Sequence, residues 1–223
     1  SGPPAGAKPA ALPKTLQPQL ATLMDQPPAE ADAWLYEIKF DGYRMLARAE
    51  GGQVRLFTRN GNDWTPRLAP LAEALEAMDL PDGWYDGEIV MPSGGKPADF
   101  QALQQAFDSS RTADIVFYLF DLPYCAGQDL RAVPVEVRRE VLARIVSRKP
   151  HPKVRFSEVF DADPKEIIAS ACKLGLEGVI GKRLGSGYVT RRSSDWIKLK
   201  CGLRQEFVIG GYTDPKGSRT GIG

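Results

Sequence analysis

Apolar residues alternate through residues 34–40, at Trp34, Tyr36, Ile38 and Phe40. This period of two predicts a β-strand carrying Glu37, Lys39 and Asp41 together on its opposite face. Comparable patterns predict strands over residues 43–49, 53–58, 84–90, 114–121, 177–182, 196–200 and 206–212. Glu50-Gly51-Gly52 lies between the first two of these and predicts a hairpin. Helical patterns cover residues 66–78, 98–107, 134–149 and 164–174. The first follows Thr65 as N-cap, with Pro66 at the first helical position. The last is opened by Asp163-Pro164 and stopped by Gly175. Helices that do not strictly alternate with strands predict an α+β fold with antiparallel or mixed sheets.

The chain of 223 residues is 43% hydrophobic and 26% charged, enough for one full domain and part of a second. Residues 1–14 read as a flexible linker, and residues 15–204 as the main domain. Residues 205–223 read as the opening of a second domain, because the apolar strand at 206–212 is not followed by enough chain to close a compact unit. No run of 18 apolar residues is present and the first residues lack the apolar centre of a signal peptide, so no membrane association is expected. Cys125, Cys172 and Cys201 are odd in number, widely spaced and without a Cys-x-x-Cys pair. That argues against a disulfide framework or structural zinc and fits a reducing cytosol. His151 is the single histidine and lies between two prolines, which disfavours His-centred hydrolysis or a multi-His metal site.

Net charge is only +1, so overall charge makes no case for nucleic acid. Basic residues nevertheless gather at Arg183, Arg191, Arg192, Lys198, Lys200 and Arg204, either as a solvated face or as an anion-binding surface.

The most informative run is Glu37-Ile38-Lys39-Phe40-Asp41-Gly42-Tyr43-Arg44. Asp-Gly between apolar segments is a hairpin signal, and a hairpin would make Lys39 an ordinary surface charge. The other reading makes the Lys39 amine a nucleophile toward phosphorus or carbonyl carbon. Further segments carry candidate chemistry: Arg59 after a strand, Glu88 inside the apolar strand Trp84–Val90, and Phe120 in Phe117–Leu122. Glu177 stands beside Gly178, which leaves room for a ligand to approach the backbone, and Lys198 and Lys200 share one strand face. Each has a bland reading as core or solvated surface. Together they supply a nucleophile, a ring to stack on a base, carboxylates for ribose or a divalent metal, and cations for phosphate.

In this order the segments resemble motifs I, Ia, III, IIIa, IV and V of the covalent nucleotidyltransferases, and among them the ATP-dependent DNA ligases, over residues 18 to 212. Thr15-Leu16-Gln17-Pro18-Gln19-Leu20-Ala21 and Gly210-Gly211-Tyr212-Thr213 look most like the ligase module of the bacterial multifunctional ligase D. The resemblance implies an ATP-grasp-like nucleotidyltransferase fold of antiparallel or mixed sheets flanked by helices, followed by an OB-fold. It implies that Lys39 attacks ATP to give lysyl-AMP, that AMP passes to the 5′-phosphate of a nick in double-stranded DNA, and that the 3′-hydroxyl then seals the strand. By the same resemblance, Phe120 stacks on adenine and Glu37 with its neighbouring backbone reads the base edge. Arg44 and Arg59 contact ribose or phosphate, Glu88 holds ribose hydroxyls, and Lys198 and Lys200 meet the α-phosphate. Glu177, and less so Glu88, would hold Mg2+ or Mn2+. Lys182, five residues after Glu177, would fall on the other face of a flat strand.

The resemblance further implies a bacterial, cytoplasmic and nucleoid-associated repair enzyme, attached to other domains of a larger polypeptide and meeting end-joining factors. The family's motif VI lies beyond the last residue, so weak or absent adenylylation from ATP is expected of this chain, which could instead arrive already adenylylated. An RNA ligase, a capping guanylyltransferase or a catalytically silent DNA-binding module are the alternatives.

Overall fold

A computed structural model describes residues 2–202. The expected strand 206–212, Arg204 and the OB-fold opening lie outside the described residues. In chain order the first strands are β1 (Lys8–Pro9), β2 (Leu20–Leu23), β3 (Trp34–Lys39), β4 (Tyr43–Glu50) and β5 (Gln53–Thr58). Helix α1 (Ala69–Ala77), β6 (Gly83–Val90), α2 (Phe100–Asp108), β7 (Val116–Cys125) and β8 (Gln128–Asp129) follow. The described part closes with α3 (Val135–Arg148), β9 (Val154–Phe156), α4 (Pro164–Lys173), β10 (Gly178–Arg183) and β11 (Arg192–Lys200). No helix among the described residues is long and apolar enough to cross a membrane.

The strands form two mixed sheets. The larger has the order β1-β8-β7-β6-β4-β5, with β9 parallel to β7, and the smaller has the order β2-β11-β10-β3. Helices α1 and α3 close the main core over the larger sheet, around Met45, Leu56, Leu75, Phe117, Leu119 and Leu142. Helix α4 covers the smaller sheet through Ile167, Ile168 and Ala171, packed on Trp34, Tyr36, Val179, Ile197 and Leu199. The alternation holds over the first half of β3: Trp34 and Tyr36 face α4, while Glu37 and Lys39 face a cleft between the sheets, whose lining Ile38 and Phe40 also join as they pack toward Val90 and Val116.

Asp41-Gly42 is not a hairpin turn. It carries the chain from β3 in the smaller sheet to β4 in the larger one. A Cβ on Gly42 would sit 2.0 Å from the Ile89 carbonyl oxygen, so only glycine lets the crossover pass against β6. The Gly51-Gly52 hairpin does form, with Glu50 opposite Gln53.

Three other expectations are corrected. Thr65 does not cap a helix: its Oγ1 accepts from the Leu56 N–H at 2.9 Å and donates to Asp63 at 2.6 Å, and Pro66–Leu68 form a 3-10 turn before α1. Asp163, by contrast, caps α4 by accepting from the Lys165 N–H at 2.9 Å. The segment read as a linker over residues 1–14 instead lies on the larger sheet, with β1 paired to β8. Ala10, Leu12 and Leu16 pack on Leu46, Trp84 and Tyr124, and the Pro13 carbonyl accepts from Arg48 and Trp84. Its Pro- and Ala-rich composition hid this because each anchor is a single side chain or carbonyl, without periodicity. Finally, Cys172 and Cys201 form a disulfide that ties α4 to the end of β11, leaving Cys125 as a buried free thiol. A sequence separation of 29 residues gives no hint that the sheet brings them together.

Candidate nucleotidyl-transfer site

The cleft holds a cavity of about 560 Å³ whose walls come from both sheets. Glu37, Lys39, Lys182 and Lys198 approach from the smaller sheet; Arg44, Arg59, Glu88 and Phe120 come from the larger sheet and the loop after β5. Lys39 also borders a second depression of about 320 Å³, with Asp41 and Glu177 on its wall. The two meet at an ion pair: Lys39 Nζ donates to Glu177 Oε1 at 2.7 Å, with 18% and 27% of the side chains exposed.

Glu177 reaches Lys39 although it precedes β10. Gly178 opens that strand with φ +158°, and a Cβ there would lie 2.1 Å from the Leu199 carbonyl oxygen. The glycine thus admits the backbone of β11 rather than a ligand. The Cys201 N–H donates to the Glu177 carbonyl at 3.0 Å and fixes the same corner.

Phe120 is placed by an irregularity in β7. Asp86 pairs with Asp121 and Gly87 with Leu119, so Phe120 is the extra residue and turns into the cleft. There it meets Trp196 edge-on at 6.0 Å, with the Lys182 ammonium 4.4 Å from its ring.

Glu37 is buried between two cations, Arg139 Nη1 at 2.9 Å and Lys182 Nζ at 2.6 Å. Its carboxylate is committed to them, and its backbone pairs with Ile180 on β10 and bridges to Val159. Burial lowers the Lys182 ammonium below the ordinary lysine range against the opposing pull of Glu37. Lys182, Trp196 and Arg192 line the cavity although sequence reading did not place them there. The signal was present for Lys182: it shares with Ile180 the period-two face of β10 that the cavity exposes.

Arg44 is held by Asp86 through Nε at 2.6 Å and Nη2 at 2.7 Å. Burial acts to lower its guanidinium, but the Asp86 charge and hydrogen bond outweigh it and keep the cation firmly protonated. Opposite Arg44 in register stands Glu88, whose carboxyl burial pushes up to about 8 against the charges of Arg44 and Lys39. Partial burial and the neighbouring cations Lys200, Arg192 and Lys39 lower the Lys198 ammonium. Lys200 lies on the same face, opposite Gly178, but does not line the main cavity.

Among the described residues, no three His, Cys, Asp or Glu side chains converge as a metal cluster. The carboxylates fit a divalent ion only as one or two ligands, the remainder coming from phosphate oxygens and water. Glu177, with its partly exposed carboxylate, suits this better than Glu88, whose carboxyl is pushed upward by burial.

Residues 18–200 match the family model described as the ATP dependent DNA ligase domain. The chain is 55% identical over 213 residues to the multifunctional non-homologous end joining protein LigD of Pseudomonas aeruginosa, covering 95% of this chain and 25% of that protein. It is 37% identical over 214 residues to the multifunctional non-homologous end joining DNA repair protein LigD of Mycobacterium tuberculosis, covering 93% of this chain and 27% of that protein. The chain thus spans about a quarter of the length of these relatives. The fold matches mycobacterial DNA ligase D complexed with ATP and MES, with a TM-score of 0.71 and 33% identity over 83% of this chain and 60% of that one.

Proposed function

The chain belongs to the ATP-dependent DNA ligase domain family, and from that premise we propose that it seals breaks in double-stranded DNA through a lysyl-AMP intermediate on Lys39. The observation that carries this reading is the Lys39 amine, paired with Glu177 at 2.7 Å where it meets a cavity large enough for a nucleotide. In the first step Nζ gives up a proton, for which Glu177 Oε1 is the adjacent acceptor, and attacks the α-phosphorus of ATP. Pyrophosphate leaves as the N–P bond forms.

Phe120 stacks on adenine, the β3 backbone beside Glu37 reads the base edge, and protonated Glu88 donates to a ribose hydroxyl. Arg44 and Arg59 meet ribose or phosphate, and Lys198, with Lys200 behind it, offsets charge that develops at the α-phosphate. Mg2+ or Mn2+ at Glu177 would mask phosphate charge that otherwise repels the nucleophile. AMP then passes to the 5′-phosphate at a nick, and the 3′-hydroxyl displaces it to close the strand. The setting is end joining in the bacterial cytoplasm, at the nucleoid, as one module of a larger repair polypeptide that meets end-joining factors.

Intact-mass spectrometry after incubation with ATP and magnesium tests the reading. The expected result is one AMP that maps to Lys39, carried from purification or gained slowly from ATP, removed by pyrophosphate and absent in Lys39→Ala; sealing of a pre-adenylated nick is expected even where ATP alone adds little. An adduct persisting in Lys39→Ala, or labelling by GTP in preference to ATP, would overturn it.

A further inference from the structure

Four residues from four separate segments close a hydrogen-bonded ring behind the cleft. Arg44 Nη2 donates to the Gln19 carbonyl at 2.8 Å and, together with Nε, to the Asp86 carboxylate. The Tyr188 hydroxyl donates to Asp86 Oδ2 at 2.7 Å and accepts from the Gln19 N–H at 3.2 Å. The Gln19 side chain in turn accepts from the Val189 N–H at 3.1 Å. Gln19, Asp86 and Tyr188 are buried, whereas Arg44 lines the cavity.

We propose that Tyr188 is a positioning residue for the nucleotide: its hydroxyl locks Asp86, and Asp86 sets the Arg44 guanidinium that faces the cavity. The inference rests on the reading of that cavity as an ATP site. Asp86 takes Nε and Nη2 of Arg44, so Nη1 is the nitrogen with no hydrogen bond among the described residues. The guanidinium carbon lies 5.0 Å from the Phe120 ring and 5.5 Å from the Trp196 ring. A guanidinium clamped this way presents Nη1 in one orientation, so its contact with a ligand costs little ordering.

The ring also joins the two walls. Arg44 and Asp86 belong to the larger sheet, while Gln19 precedes β2 and Tyr188 lies in the connection from β10 to β11. Removal of one hydroxyl frees Asp86 Oδ2 from its second donor and leaves the Gln19 N–H without an acceptor. A purely structural tyrosine would stabilise the fold without caring whether Arg44 is present.

The test is a cycle of Tyr188→Phe, Arg44→Ala and the double variant, each first freed of any AMP with pyrophosphate and magnesium, with ATP affinity then measured by equilibrium dialysis in EDTA so that no covalent adduct forms. Tyr188→Phe should weaken ATP binding about fivefold, the ratio for one net hydrogen bond near 1 kcal/mol. In the Arg44→Ala background the same change should add nothing. An equal loss in both backgrounds, or no loss in either, overturns the positioning role. No ATP binding by the unmodified protein overturns the underlying site reading instead. Because Tyr188→Phe could fail to fold, the Arg44 side-chain 15N–1H signals of the unmodified protein give a second measurement. Separate, slowly exchanging guanidinium signals are expected, and a single averaged signal would sink the proposal.

Discussion

Phe120 and its neighbour Asp121 look into two groups of charge that follow different rules. On the α3 side Arg138 and Asp121 are fully buried, with Nε–Oδ1 at 2.8 Å and Nη2–Oδ2 at 3.0 Å. Arg138 Nη1 donates to the carbonyls of Val133 and Ser186, and the Leu122 N–H donates to Asp121. On the cleft side the partners are incomplete: Lys39 and Glu177 are partly exposed, and Arg44, which lines the cavity, has no hydrogen bond at Nη1 among the described residues. Where every donor and acceptor is matched at home, a buried charge specifies the fold. Where a cation or carboxylate is left partly unmatched against a cavity, the same residue types are placed for a ligand.

The sharpest way to break this contrast is Arg138→Met. It strands the Asp121 charge, and loss of one member of a buried pair costs about 3–5 kcal/mol. For a chain of this size that lowers Tm by roughly 10 °C, read by thermal circular dichroism. Asp121→Leu added to Arg138→Met should recover much of the loss, because no buried charge then remains unpaired. A shift within 2 °C or so of zero in the single variant would show that water or the cleft supplies Asp121 with another partner.

Much of this arrangement was legible in the chain. The strand faces of β3 and β11 follow from period two, and the helix α4 follows from its cap and its terminal glycine. Glu37, Lys39, Arg44, Arg59, Glu88, Phe120 and Lys198 line one cavity, with Glu177 next door. What stayed hidden depends on long-range contact. The Asp41-Gly42 crossover reads locally like a hairpin, because only the approach of Ile89 reveals why a glycine is needed there. The irregularity that turns Phe120 inward arises from pairing with β6, and Arg138, Arg139 and Tyr188 have no local pattern that marks them as partners of Asp121, Glu37 and Asp86. The anchoring of residues 8–16 was missed for the same reason.

A smaller effect comes from the other residue of the pair on β7. Phe120→Ala removes the ring that faces the cavity, and loss of one aromatic stacking partner weakens binding of a base by about 1–3 kcal/mol. ATP affinity should fall about tenfold by equilibrium dialysis, while Tm moves far less than in Arg138→Met. If instead stability collapsed and affinity per folded molecule held, Phe120 would belong with Asp121 as a structural residue. Neighbouring positions on one strand would then no longer divide between fold and site.

The smallest effect, taken per half-unit step of pH at about 0.7 kcal/mol or less, separates the two groups by the sign of their pH dependence. Burial alone would raise the Asp121 carboxyl, but the Arg138 charge and hydrogen bonds, helped by Lys182, hold it below the usual carboxylate range. Its contribution to stability is therefore present above the unfolded value of 3.8 and is lost as pH falls through the lower folded value. Glu88 behaves oppositely, since its carboxyl is raised from 4.5 to about 8. Between those values the folded chain keeps a proton that the unfolded chain has released, so stability declines as pH rises through that window. Glu88→Gln carries no titrating proton and should flatten the decline without changing the acid limb governed by Asp121. Urea midpoints for both proteins from about pH 2 to about pH 9, at roughly half-unit steps, would show both limbs. Parallel profiles would mean that Glu88 is already ionised in the folded protein. It would then be a carboxylate available to a cation, and its role as a hydrogen-bond donor to ribose would be lost.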